Sequence, residues 1–179
     1  MPFGAVLDRR SSQRDFGELS RANLGSLLWH AARVRSTDRG QHRPAPSAGG
    51  LHPIELVVLE PPFRLAFLYD PVRHALGQLA DIDSQLLATA CGATVAVLPL
   101  ARGTLIVALG DFERTGALYE EPDSLVWRDA GCALATLHLT SAWLGLGSCL
   151  LGIVGAAVAE VIDRDGRGRP VGAIAVGQI

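Results

Sequence analysis

Residues 44–60 read PAPSAGGLHPIELVVLE, so a cluster of small residues and prolines passes directly into an apolar run. The small side chains at residues 47–50 allow backbone amides and carbonyls to approach a flat ligand closely. An ordinary turn explains the same four residues without any ligand. The apolar run at residues 54–60 is rich in branched side chains and predicts a strand.

A second apolar run follows after a connection of only three residues, 61–63. RLAFLYD, residues 64–70, is again branched and aromatic, so the two runs predict a hairpin. Three further runs have the unbroken apolar character of buried strands: ATVAVLPL at 93–100, TLIVALGDF at 104–112 and VGAIAVGQI at 171–179.

Helical spacing is found in two segments between these strands. The segment from Ser20 places apolar residues at Leu24, Leu27 and Leu28, which predicts an amphipathic helix with Ser20 as its N-cap. DSQLLATAC, from Asp83, predicts a short helix. Residues 36–53, rich in glycine, proline and serine, predict a long irregular loop.

No residue from Ala130 to Ala159 carries a formal charge. We interpret this stretch as a helix from about Leu125 to Leu144, a glycine-rich turn and a second helix to Ile162, both covered inside a core. The clustered glycines and the absence of a basic flank disfavour a membrane span. Together with the predicted strands, these helices favour a single α+β domain over residues 1–179 rather than a doubly wound fold.

Composition narrows the classes of function. All 16 basic residues are arginines, which excludes Schiff-base lysines and phosphate-loop lysines. A formal net charge of −2 without charge blocks gives no reason to expect nucleic acid or an anionic membrane as partner. Three scattered cysteines and no export signal favour a cytoplasmic protein, and the scattered histidines do not predict a metal site.

Two further stretches carry candidate chemistry. RSSQRDF, residues 10–16, places two arginines around hydroxyl side chains, a donor set suited to a phosphate group. A solvated N-terminal arm is the alternative interpretation. LGLGSCLLGI, residues 144–153, is expected to form a turn whose backbone amides address a ring nitrogen, although a helix C-cap with close helix packing would explain the same glycines.

These three stretches, in this order and spacing, resemble the flavin-contacting segments of the nitroreductase superfamily. Arg10, Ser12, Arg14 and Phe16 match the family's N-terminal phosphate and ribityl motif. PSAGGLHP followed by IELVVL is similar to the Pro-Ser-Ala-Gly-Ala-Leu-Tyr-Pro signature of SagB-type dehydrogenases, which oxidise thiazolines and oxazolines in ribosomal peptides. Residues 129–147 resemble the family's central helix.

The resemblance implies a nitroreductase-like fold, with a mostly antiparallel central sheet flanked by helices. It also implies FMN as cofactor, bound at the interface of a homodimer, in which residues 46–49 reach the flavin of the other subunit. A backbone amide at Leu151 or Gly152 would bond flavin N5. The implied cofactor-binding residues are Arg10, Ser11, Ser12, Arg14, Pro46, Ser47, Ala48, Gly49, Leu151 and Gly152.

The chain also departs from the family. Azoline dehydrogenases commonly present a Lys-Tyr pair before the central helix, whereas this chain has Leu118 and Tyr119 there. Tyr119 is the candidate general acid or base, with an exposed structural tyrosine as the alternative. The expected activity is oxidation or reduction of a small organic or peptide substrate. The alternative is a noncatalytic scaffold that binds a modifying enzyme.

Overall fold

The computed structural model of the chain describes residues 1–38, 40–98, 100–152, 155–162 and 168–179. Within these ranges the helices are α1 (Phe3–Arg9), α2 (Arg21–Ala31), α3 (Ser84–Val95), α4 (Phe112–Gly116), α5 (Pro122–Leu144) and α6 (Ala156–Ile162). The strands are β1 (Asp15–Phe16), β2 (Arg35–Thr37), β3 (Gly40–His42), β4 (Ile54–Leu59), β5 (Ala66–Asp70), β6 (Ala75–Gln78), β7 (Leu100–Ala101), β8 (Thr104–Asp111), β9 (Leu146–Leu150) and β10 (Gly168–Gln178).

A six-stranded sheet in the order β6-β5-β4-β8-β10-β9 forms the centre of the fold, and every neighbouring pair in it is antiparallel. The predicted hairpin is confirmed because β4 pairs with β5 from Val57 opposite Leu68 to Leu59 opposite Ala66. This arrangement confirms the predicted α+β class and the mostly antiparallel sheet.

Helices cover both faces of the sheet, which explains the unbroken apolar runs. Ile106 and Ala108 of β8 pack with α2 and α5, whereas Leu105 and Val107 pack with α3 and α6. All of β8 except its last residue is buried. A strand that is covered on both faces needs apolar side chains at every position.

The helix ends follow the capping residues in the sequence. Ser20 accepts a hydrogen bond from Asn23 N–H at the start of α2, as predicted, and Asp83 accepts from Gln85 and Leu86 N–H at the start of α3. Central helix α5 begins with Pro122 and ends at Gly145, whose φ of 74° is left-handed. No helix among the described residues is long and apolar enough to span a bilayer.

The predicted glycine-rich turn after α5 is wrong. Residues 146–150 form β9, the edge strand that pairs with β10 from Leu146 opposite Gln178 to Leu150 opposite Ile174. Gly145 alone reverses the chain, so the following residues are free to pair with the sheet. The second helix of this region begins only at Ala156, and Ile162 is its last described residue.

Two other predictions need correction. ATVAVLPL at 93–100 is not a strand, because capped helix α3 continues through Val95 and only β7 pairs, in parallel, with β1. Leu87, Ala90 and Cys91 bury the inner face of that helix against the sheet, which outweighs the local β propensity. The long loop at 36–53 contains the short β2–β3 hairpin and a 3-10 turn at Ala48–Gly50.

Candidate active site

The N-terminal arm, residues 10–16, is fixed along edge strand β9. Gln13 N–H donates to Ser148 O at 2.9 Å, and Gly17 N–H donates to Gln178 O at 2.8 Å. Phe16 is buried and packs with Cys149 and Ala175. The arm is therefore attached to the same edge of the sheet that leads into Leu151 and Gly152.

The arm presents its predicted phosphate-binding side chains to solvent. Ser11, Ser12 and Arg14 are exposed, and Gln13 Nε2 donates to Ser11 Oγ at 2.8 Å. Among the ion pairs of the described residues, none involves Arg10 or Arg14. Within the described part of the chain, the charge of both guanidinium groups is therefore available to an external anion.

Arg10 contacts a buried histidine of α5. Its Nη1 donates to His138 Nε2 at 3.1 Å, and His138 Nδ1 lies 2.7 Å from Ser148 Oγ. Because arginine can only donate, Nε2 must accept, so neutral His138 carries its proton on Nδ1 and donates to Ser148. Burial, and secondarily the charge of Arg10, lower the pKa of His138 below its usual range.

Asp129, also on α5, holds the loop at residues 46–49. Ser47 Oγ donates to Asp129 Oδ2 at 2.6 Å, and Ala48 N–H lies 3.1 Å from Oδ1. Ser47 Oγ accepts in turn from His52 N–H at 2.9 Å. Asp129 is only 7% exposed, so these bonds compensate the burial of its carboxylate.

Tyr119 lies against this loop. Gly49 has a φ of 57°, and a Cβ at that position would lie 2.8 Å from Tyr119 Oη. Glycine therefore both permits the left-handed backbone and leaves room for the phenol. Tyr119 is half-buried in the turn after α4, where its N–H donates to Thr115 O at 3.0 Å.

The predicted amides at Leu151 and Gly152 follow β9 directly. Leu151 N–H donates to Ala173 O at 2.9 Å, which continues the pairing with β10. Gly152 lies in an exposed bend. The last residue of the stretch 144–153 lies outside the described residues.

The predicted site residues thus form two groups on one chain. Arg10 meets α5 at His138, near the arm and the end of β9, whereas Ser47, Ala48 and Tyr119 belong to the group at Asp129. Nine residues separate Asp129 from His138, which corresponds to two and a half helical turns and about 14 Å along the axis. The two side chains therefore leave α5 on opposite faces.

Three residues of this site were not predicted from the sequence: Asp129, His138 and Ser148. In the sequence, His138 has no second histidine or cysteine at metal-ligand spacing, and Ser148 does not lie in a Gly-x-Ser-x-Gly motif, so neither residue was a candidate. The sequence did contain one indication, which is a polar residue among apolar ones. His138 lies within the charge-free stretch from Ala130 to Ala159, and Asp129 directly precedes that stretch. Such residues need buried partners.

Comparisons with known proteins agree on one family. The model of the nitroreductase family matches residues 7–178. A search of curated proteins found no significant match. Among solved structures, a nitroreductase-like protein of Ralstonia eutropha is 24% identical, with 99% of this chain and 83% of that chain covered and a TM-score of 0.78.

Two other structures share the fold at lower identity. The Escherichia coli microcin synthetase McbBCD complex, solved with truncated pro-MccB17 bound, contains a chain that is 21% identical over 97% of this chain and 72% of that chain, with a TM-score of 0.72. A nitroreductase family protein of Clostridium novyi is 18% identical over 99% and 85%, with a TM-score of 0.67. With the family model covering nearly the whole sequence, this chain belongs to the nitroreductase family, whose members are generally FMN-dependent oxidoreductases.

Proposed function

We propose that this protein is an FMN-dependent oxidoreductase acting on a small organic or peptide substrate. The observation that carries the proposal is the arm at residues 10–16, which is anchored on β9 and directs to solvent two arginines that have no ion-pair partner among the described residues. Family membership is consistent with this cofactor.

The donor set of the arm fits the phosphate of FMN. A phosphate dianion is bound best by forked, charge-assisted donors combined with neutral donors. Arg10 and Arg14 supply the former, and Ser11 and Ser12 supply the latter. Arg10 is bonded to a neutral histidine, and no carboxylate of the described residues forms an ion pair with it.

We assign the ring-facing amide to Gly152. Leu151 N–H is already bonded to Ala173 O, so Gly152 is the better candidate of the two for flavin N5. When bound, FMN would accept or release a hydride at N5, while the protein provides orientation and local charge. Tyr119 would take or supply the accompanying proton.

We further propose that the site is composite and is formed by two subunits. Residues 46–49 and the arm contact opposite faces of α5, which disfavours a single flavin touching both within one chain. A neighbouring subunit can bring its own copy of residues 46–49 to the flavin held by the arm.

The surface of α5 supports the homodimer. An i, i+4 row along this helix is uncharged, and its two tryptophans are 47% and 40% exposed. Rows at this spacing are the ridges along which helices pack against one another. The row consists of Trp127, Gly131, Ala135, Leu139 and Trp143.

Azoline oxidation in ribosomal peptides is the most specific form of this proposal. It rests on PSAGGLHP before β4, which is similar to the SagB-type signature, and on structural similarity to a chain of a microcin synthetase complex. For such a substrate, bound FMN would supply the hydride acceptor, and Tyr119 is the candidate base for the proton that the azoline ring would lose. The similarity to a complex also makes a modifying-enzyme partner part of the proposal.

Absorbance spectroscopy distinguishes the enzyme from a noncatalytic scaffold. The purified protein, or protein incubated with FMN and desalted, should retain the visible flavin bands. Azoline oxidation is tested by incubating the protein with a thiazoline-containing peptide and measuring by mass spectrometry whether the peptide loses two hydrogens. Colourless protein that does not bind added FMN would contradict the proposal.

A further inference from the structure

A cavity of about 460 Å³ lies between the end of α2, strands β4, β5 and β6, and the middle of α5. Its walls are largely apolar and include Ile54, Leu56, Leu68 and Leu137. Pro46 and Ser47 line it from the loop side. A cavity of this size is within the range that small organic ligands occupy.

Arg43 is the cationic residue of this lining. Its Nη1 donates to Ile54 O at 3.1 Å, but its buried Nε has no hydrogen-bond partner. Burial, followed by the charge of Arg114, lowers the pKa of Arg43 below its usual range. No ion pair of the described residues involves Arg43, and a partly desolvated guanidinium is unfavourable unless an anion offsets its charge.

The acidic groups nearby are already used elsewhere. Asp129 accepts from Ser47 and Ala48, and Asp70 Oδ2 accepts from Arg73 at 2.9 Å. Glu55 Oε1 lies 3.6 Å from Arg114, although its charge also acts on Arg43. Tyr69 Oη is bonded to Leu28 O and to His74. Burial and the charge of Arg43 lower the pKa of His52, so His52 is neutral near pH 7 and adds no competing charge.

We propose that this cavity binds a small organic carboxylate with an apolar body. The carboxylate accepts from the guanidinium of Arg43, and the body occupies the space lined by Leu56, Leu68 and Leu137. Because Pro46 and Ser47 border the cavity, the ligand lies beside the loop assigned to the flavin. The carboxylate is therefore a feature of the substrate, and this assignment rests on the proposed function.

Calorimetry with 3-phenylpropanoate and its uncharged analogue 3-phenylpropanamide tests the site without requiring turnover. The carboxylate should bind at least tenfold more tightly than the amide, because only the anion satisfies Arg43. Glycylphenylalanine and its C-terminal amide form a second pair. Comparing the affinities of 3-phenylpropanoate and glycylphenylalanine shows whether the site prefers a simple carboxylic acid or the C-terminal carboxylate of a peptide. FMN binding is measured separately by absorbance, so that failure of the flavin proposal can be distinguished from failure of the carboxylate site.

Arg43→Gln should weaken binding of 3-phenylpropanoate at least tenfold. Arg35→Gln is the matched control, since Arg35 also donates to a backbone carbonyl and has an unpartnered Nε but does not line the cavity. Ala133→Met, which fills the cavity without changing charge, should also abolish binding. The proposal is overturned if the acid does not bind, binds no better than the amide, or binds Arg43→Gln as tightly as the wild type.

Discussion

At the scale of single residues, the contact between Arg10 and His138 makes the site dependent on pH. Protonation of His138 would put a hydrogen on Nε2, facing the guanidinium that now donates to it. The folded state therefore favours the neutral ring, in agreement with the lowered pKa of His138. A group whose pKa is lowered by folding stabilises the protein above its ordinary pKa, and this contribution is lost as the pH falls through the lower folded value.

His138→Leu should therefore reduce the acid sensitivity of the protein. Between pH 7.5 and pH 5, the free energy of unfolding of the wild type should fall more steeply than that of the variant. Urea denaturation at both pH values measures the two slopes. His42→Leu is a control at an exposed histidine of β3, and it should keep the wild-type slope. If His138→Leu also keeps the wild-type slope, the assigned protonation state is incorrect.

Tyr119 is the candidate residue for proton transfer to or from the substrate. If it transfers a proton, Tyr119→Phe should lower turnover about a hundredfold, since general acid–base catalysis contributes about 10²–10⁴-fold. The flavin should stay bound, because the phenol is not among the phosphate donors. Steady-state rates and the flavin absorbance of the same preparation measure both properties. An unchanged rate would make Tyr119 a structural residue of the loop.

The candidate site was partly predictable from the sequence. Arg10, Ser12 and Arg14 could be found because their spacing is local and their chemistry is specific for an anion. Asp129, His138 and Ser148 could not, because their roles depend on partners that lie up to 128 residues away in the chain. Long-range hydrogen bonds of this kind leave no periodic pattern in the sequence.

At the scale of elements, the strongly patterned segments were predicted and the weakly patterned ones were not. Helix α2 and strand β8 have both the correct period and clear boundaries. Strand β9 was interpreted as a turn because Gly145 before it and Gly147 within it suggest a break, yet pairing with β10 along one edge is sufficient to form it. The β-branched end of α3 remains helical because tertiary packing outweighs propensity.

Asp129 attaches the loop at residues 46–49 to α5 through its hydrogen bonds with Ser47 and Ala48. Asp129→Asn should lower the free energy of unfolding by about 1.5–3 kcal/mol, because the amide offers one acceptor oxygen in place of two and its NH₂ group faces a backbone donor. Urea denaturation measures the change. Asp123→Asn, at an exposed ion pair, is the control and should change it by less than about 1 kcal/mol. Equal effects of the two variants would contradict the anchoring role of Asp129.

At the scale of the whole molecule, the uncharged row on α5 predicts an obligate homodimer. Light scattering at micromolar concentration should give a mass near twice 18.9 kDa. The melting temperature should rise with protein concentration, because folding and association are coupled. The interface should exceed about 2,000 Å², as obligate dimer interfaces do. A stable monomer with bound flavin would contradict the arrangement.

Mixing two defective chains tests whether the sites are shared between subunits. One chain carries Arg10→Ala and Arg14→Ala, and the other carries Gly49→Val, which clashes with Tyr119 and strains the loop. In a heterodimer of the two, one site combines the intact arm of one chain with the intact loop of the other. FMN binding should return in the mixture to one site per heterodimer. No recovery would indicate that each site lies within a single chain.

A fluorescence titration of FMN into wild type and variants measures whether the arm at residues 10–16 binds the cofactor. Arg10→Ala/Arg14→Ala should weaken FMN affinity by at least about a hundredfold, because each charge-assisted contact contributes about 1.5–3 kcal/mol. Arg64→Ala/Arg73→Ala removes the same charge from the exposed β4–β5–β6 region and should bind FMN as the wild type does. Equal affinity of all three proteins for FMN, or a wild type that does not bind it, would contradict the account.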